Sequence, residues 1–97
     1  MLTSKQRAHL RSLSNGAPVI CQIGKEGITE NLIKQLDEAL LARELVKTRV
    51  LENAPCFAKE ALFELSEILH SEQVCSIGKT FVLYRQARDI KKRVIEL

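Results

Sequence analysis

The spacing of apolar residues changes several times along the chain, and each change marks an element. Leu10 and Leu13 give a narrow apolar edge to a first helix that Thr3 or Ser4 caps and that runs to about Ser14. Asn15-Gly16 supplies the stop. Residues 19–23, VICQI, form a short apolar run after Pro18 and predict a buried strand. Leu32, Ile33, Leu36, Ala39 and Leu40 then recur at helical spacing through about Arg43. Thr29 is the N-cap of this helix, with Ile28 and Ile33 at the two positions of a hydrophobic staple.

From Leu45 to Leu51 the period falls to two. Val46, Thr48 and Val50 point one way; Leu45, Lys47, Arg49 and Leu51 point the other. Asn53-Ala54-Pro55 breaks this strand, and Ala58, Ala61, Leu62, Leu65, Ile68 and Leu69 form the stripe of a third helix. Glu60, Glu64 and Glu67 fall on its outer face. Residues 74–77 and 80–84 predict two strands joined by Gly78-Lys79, a two-residue hairpin loop.

The order α-β-α-β-α-β-β predicts a two-layer α/β (α+β) domain. Each strand–helix–strand unit predicts a parallel pair with a right-handed crossover, and the last hairpin adds one antiparallel strand. Residues 1–86 form one domain; residues 87–97 form a basic C-terminal tail. In that tail Ile90 and Val94 either anchor a short helix or leave the segment to fray.

The junction of the first strand with the second helix reads Gly24-Lys25-Glu26-Gly27. Glycines let a backbone turn sharply and let a ligand approach it closely. A helix start offers unpaired N–H groups and a partial positive charge, so a phosphate can sit there. The G-x-x-G spacing also matches the loop with which KH modules clamp a nucleic-acid backbone. A plain strand-to-helix turn explains the glycines equally well. Neither the P-loop pattern nor the dinucleotide fingerprint is present.

Charge sharpens the picture. The net charge is +3 over 97 residues. Residues 1–28 carry Lys5, Arg7, Arg11 and Lys25 against Glu26, whereas residues 57–72 carry Lys59 against Glu60, Glu64, Glu67 and Glu72. The segment from 73 onward is basic again. This pattern predicts one basic and one acidic side, and a polyanion as partner. Arg7 and Arg11 share a helix face, Lys25 sits in the loop, and Lys47 and Arg49 share a strand face. The bland alternative is that each cation is a solvated surface residue.

Other chemistry finds little support. Cys21, Cys56 and Cys75 are odd in number and lack C-x-x-C spacing, which fits small hydrophobes in a reducing cytoplasm. No apolar run is long enough for a membrane span, and the first sixteen residues do not read as a signal peptide. His9 and His70 have no cysteine or carboxylate at ligand or triad spacing, so no catalytic residues, metal or cofactor are assigned. His70 is read as a helix end.

Residues 24–53, GKEGITENLIKQLDEALLARELVKTRVLEN, resemble the central motif of the CRM domain family, the chloroplast RNA splicing and ribosome maturation domain. The likeness is to the stand-alone bacterial members of the YhbY type: a G-K-x-G loop, an amphipathic helix, then R/H-E-L-[IV]-K and a basic strand. The opening LTSKQRAHLRSLSN and the ending IGKTFVLYR resemble the family's first helix and last hairpin. The resemblance implies a mixed four-stranded sheet similar to the C-terminal domain of bacterial translation initiation factor three. It implies a non-enzymatic protein that binds ribosomal RNA in precursors of the large (50S) subunit and aids assembly. Gly24, Lys25 and Gly27 match the family's loop, Lys47 and Arg49 its basic strand, and Arg85 the arginine after its last tyrosine. With Glu26, Arg7 and Arg11 these make up the expected RNA-binding residues. Thr48 stands where the family has an apolar residue, and the tail beyond Gln86 lies outside the pattern. A monomer is expected. The alternative is a protein-interaction module whose acidic helix 56–70 docks a basic ribosomal protein.

Overall fold

The computed structural model describes residues 2–95; Met1 and the last two tail residues, Glu96 and Leu97, lie outside the described residues. Helix α1, Ser4–Asn15, opens with a reciprocal capping box. Thr3 Oγ1 accepts the Gln6 N–H at 3.1 Å, and Gln6 Oε1 accepts the Thr3 N–H at 3.0 Å. Strand β1, Val19–Ile23, leads through the glycine turn into α2, Glu30–Arg43. The Thr29 hydroxyl accepts the Leu32 N–H and caps α2 as expected. Strand β2 is Leu45–Val50, helix α3 Ala58–Ile68, strand β3 Glu72–Ile77 and strand β4 Thr80–Tyr84. Ile90–Lys92 adds a single 3-10 turn.

The sheet order is β1-β2-β4-β3. β1 and β2 pair in parallel across α2, as expected. The second expected parallel pair does not form. β4 inserts between β2 and β3, antiparallel to both. β2 and β3 therefore run in the same direction without touching, a split β-α-β unit. The hairpin at Gly78-Lys79, with Gly78 at φ +58°, folds β4 back into that central place. There it is buried on both faces, with Phe81, Val82, Leu83 and Tyr84 all inside.

Alternate residues of β4 serve two cores. Phe81 and Leu83 join Val46, Val50, Leu36, Leu40, Ala61 and Leu65 beneath α2 and α3. Val82 and Tyr84 pack with Leu10 of α1, Val74 and the tail residue Ile95 on the opposite face. The sheet and the α2/α3 layer make the two expected layers, and α1 adds a cover across the other side. Thr48 takes its place in the main core, fully buried, and its hydroxyl has no hydrogen-bond partner.

Two local expectations change, and one holds in an unusual form. β1 is an edge strand with only Cys21 and Ile23 buried and Val19 exposed, so it is half-buried. Ile68 is exposed, and Ser66 takes the buried place on α3, its hydroxyl bonded to the Phe63 carbonyl. His70 does end α3, in left-handed conformation at φ +51°. The Ser71 N–H then reaches the Ser66 carbonyl at 2.9 Å, a Schellman closure with histidine in the place glycine usually takes.

Candidate nucleic-acid interface

The turn at Gly24–Gly27 closes on a hydrogen bond from the Gly27 N–H to the Gly24 carbonyl, 3.0 Å. Gly27 sits at φ +70°, a left-handed conformation that side chains disfavour, and it is buried against the ring of Pro55. Gly24 has ordinary φ, and a Cβ there would meet only Leu51 Cδ1 at 3.9 Å. The two glycines therefore do different jobs. Gly27 is required by backbone geometry, whereas Gly24 is half-buried and would tolerate a Cβ at the end of β1. Lys25 and Glu26 stand exposed at the tip.

The start of α2 is less open to a phosphate than its sequence suggests. The Thr29 hydroxyl already takes the Leu32 N–H, and Glu30 occupies the first turn with its own negative charge. An anion near the turn therefore meets Lys25 and backbone more readily than the helix start itself.

The cations separate into free and engaged. Val46, Thr48 and Val50 face α2 and α3, so Lys47 and Arg49 emerge on the face that carries α1. Arg49 is exposed, beside Gln22 of β1, at the end of the sheet where the glycine turn lies. Arg11 is exposed on α1. Arg7 is also exposed, with its Nε donating to the Gln73 carbonyl at 3.1 Å. Lys47 is half-buried, and its Nζ donates to the Ser14 carbonyl at 3.3 Å, so it closes the C-terminal end of α1.

Arg85 belongs to another part of the molecule. Its Nη1 donates to the Leu69 carbonyl at 2.9 Å, and its Nη2 reaches both the Asp37 carbonyl at 3.1 Å and Asp37 Oδ1 at 2.9 Å. The guanidinium thus ties the end of α3 to the middle of α2. The structure does not bring it to the turn with Lys25 and Arg49.

Sequence reasoning missed Glu44. It follows α2 in left-handed conformation, φ 65°, and is fully buried. Its Oε2 accepts the Ala87 N–H at 2.6 Å; its Oε1 accepts the N–H groups of Val94 at 2.6 Å and Ile95 at 2.8 Å. Burial pushes this carboxyl up, but the three N–H donors and nearby Arg93 outweigh it and hold it below its ordinary value. The tail is therefore fastened by its backbone. Neither expected alternative holds: Ile90 and Val94 are exposed rather than anchors, and the tail is fastened, with Ile95 packing instead. A glutamate at the C-terminal end of a helix, against the macrodipole, was the signal available in the sequence.

Among the described residues, no three His, Cys, Asp or Glu side chains gather as a metal site, and no helix is long and apolar enough to cross a membrane. The cysteines are free thiols, Cys21 buried and the others half-buried.

Fold and turn together define a small α+β domain built on a glycine-turn β-α-β unit with a hairpin strand inserted at its centre. The chain belongs to the CRS1 / YhbY (CRM) domain family, which it matches over residues 2–85. It is 41% identical over 92 residues to a Bacillus subtilis protein named "Probable RNA-binding protein YqeI", covering 95% of this chain and 96% of that one. A Methanocaldococcus jannaschii protein, "Probable RNA-binding protein MJ0652", is 32% identical, over 94% of this chain and 69% of its own. The solution structure of hypothetical protein SAV1595 from Staphylococcus aureus, a candidate RNA-binding protein, superposes with a TM-score of 0.80 at 46% identity. The match covers 99% of this chain and all of that one.

Proposed function

We propose that this chain is a non-enzymatic RNA-binding protein that grips folded RNA by its backbone. The observation that carries this reading is the Gly24–Gly27 turn. It is locked by Gly27 against Pro55 and leaves Lys25 exposed at the same end of the sheet as Arg49. Arg11 and the remaining donors of Arg7 continue the cationic surface over α1. Backbone phosphates suit such a surface, because few aromatic rings are available to stack bases and the cations are spread over separate elements. Family membership and the names of the relatives support RNA as the ligand class. The RNA we assign is ribosomal, in precursors of the large subunit, with the protein acting in assembly as a monomer in the cytoplasm. That assignment follows the family resemblance.

Two measurements test it. Affinity for ribosomal RNA fragments should fall linearly with salt on logarithmic axes, by roughly 0.7–0.9 in slope per phosphate contact. A flat dependence overturns the phosphate reading. Sedimentation of cell extract through sucrose at low salt should place the protein with large subunits or their precursors. Recovery only at the top of the gradient overturns the assembly role.

A second reading is favoured by one observation on α3. Phe57 is 79% exposed and Phe63 59% exposed, flanking the acidic ridge of Glu60, Glu64 and Glu67. That face suits a basic polypeptide rather than RNA. Reversal of Glu64 and Glu67 to lysine would then abolish particle association while leaving affinity for bare RNA intact.

A further inference from the structure

The tail beyond the family match is closed into a ring. Residues 87 and 94 meet at the two oxygens of one buried carboxylate, Glu44, and Ile95 seals the junction by packing against the cluster of Leu10, Val74, Val82 and Tyr84. Arg93 acts as a buckle: its Nε donates to the Ala87 carbonyl at 3.0 Å, across the base of the ring. At the far side, Asp89 Oδ1 accepts the Lys91 N–H at 3.0 Å and caps the 3-10 turn Ile90–Lys92. Apart from the packing of Ile95, the bonds that hold the ring come from backbone, Glu44, Asp89 and Arg93. Arg88, Lys91 and Lys92 are exposed and take no part in closing it.

A ring fixed this firmly is a poor solubilising tail, which needs no order, and a good platform, because ordering it beforehand removes that entropic cost from binding. Its position follows from the strand register. Glu44 immediately precedes Leu45, at the start of β2, and Leu45 pairs with Tyr84 at the end of β4. The glycine turn lies beyond the other end of β2, next to Val50. The two are separated by five residue steps of strand, roughly 17 Å at the usual rise per residue. α1, with Arg7 and Arg11, crosses the face between them.

We infer that residues 87–94 are a second RNA-contact element, in which the ring closed on Glu44 presents Arg88, Lys91 and Lys92 to backbone phosphates at the end of the sheet opposite the glycine turn. This rests on the RNA reading above and extends it to a footprint running the length of the sheet. The side chains that would touch RNA are separate from those that close the ring, so the two roles can be tested separately.

The test measures RNA affinity against salt for three full-length proteins. In the first, Arg88, Lys91 and Lys92 are all changed to alanine; these exposed positions leave the fold intact. The logarithmic slope should lose about 2–3 from the parent value, at 0.7–0.9 per contact, and affinity near 0.1 M salt should drop tenfold or more. In the second, Lys34→Ala and Lys59→Ala remove two cations from α2 and α3; slope and affinity should stay at parent values. In the third, Glu44→Gln raises the net charge by one. Simple attraction predicts tighter binding, whereas release of the ring predicts weaker binding, read at a temperature where melting shows the protein folded. An unchanged slope in the triple variant overturns the inference even if Glu44→Gln does not fold. So does an equal loss in the Lys34/Lys59 control, which would reduce the effect to net charge. A parent protein with no salt-dependent RNA affinity overturns the function reading itself, and this inference with it, whereas a parent that binds beside an unaffected triple variant removes only the ring.

Discussion

A Cβ on Gly27 would lie 3.0 Å from Pro55 Cγ, on a residue whose φ is +70°. Both facts oppose any side chain, and the ring of Pro55 is not a flexible tip that can swing aside. Gly27→Ala should therefore destabilise the protein by about 1–2 kcal/mol. Gly24→Ala, with only Leu51 in ordinary contact, should change stability by less than about 0.5 kcal/mol. Urea midpoints of the two variants check this. A substitution at Gly27 that weakens RNA binding would confuse folding with recognition, so Gly24→Ala and Lys25→Ala are the informative probes of the turn.

The three N–H donors on Glu44 set the sign of an acid limit to the fold. Its native carboxyl holds a proton less tightly than the ordinary value of 4.5, so its contribution is complete above that pH and is lost as pH falls through the lower native value. The charged and titratable neighbours are Arg93 and the buried Tyr84 hydroxyl. Protection of the Ala87, Val94 and Ile95 amides, taken against intrinsic exchange at each pH, should fall below about pH 4.5 ahead of protection in β4. Glu44→Gln should lower stability at pH 7 by about 2–4 kcal/mol, since its amide would face a donor where the carboxylate accepts one. The gap between parent and variant should narrow as the pH drops.

Arg85 separates structure from recognition. Arg85→Ala leaves two carbonyls and the Asp37 carboxylate without their donor, and should cost about 2–3 kcal/mol. The salt slope of RNA binding should be unchanged. A slope shallower by a full contact would show that this arginine leaves its place between α2 and α3 to meet phosphate.

Thr48→Val should stabilise the protein by about 1 kcal/mol. The hydroxyl is buried without a partner, and valine keeps the branched shape while removing the unmet polar group. Thermal melting checks the direction.

What the sequence made legible was local. The Thr29 cap and the apolar repeat Leu32, Leu36, Leu40 place α2 within a residue, because both signals lie inside the segment they describe. The alternation of β2 told correctly which side Lys47 and Arg49 take. Adjacency in the sheet was not legible. β3 and β4 are joined by a two-residue loop, and nothing in their composition says which of them lies against β2. Edge and centre differ in burial, yet Val74–Ile77 and Thr80–Tyr84 read alike until Phe81, Val82, Leu83 and Tyr84 are seen buried together. Of the expected site residues, those on exposed positions, Lys25, Arg49 and Arg11, remain available. Lys47 and Arg85 look identical to them in sequence and differ only in the carbonyls that tertiary packing brings near.

The insertion of β4 has a consequence for how the chain assembles. Helix α2 and the β1–β2 pair are close in sequence and can form early. β2 and β3 share no hydrogen bond, so the sheet stays in two halves until residues 80–84 arrive to join them. That joining step sets contacts at long sequence separation, from Leu45 across to Tyr84, and carries most of the loop-closure entropy. Docking of this five-residue segment is therefore the step expected to limit the folding rate, which the folding and unfolding arms of a denaturant chevron check. Substitutions in β4 should slow folding, whereas substitutions at β1, on the edge, should mainly hasten unfolding.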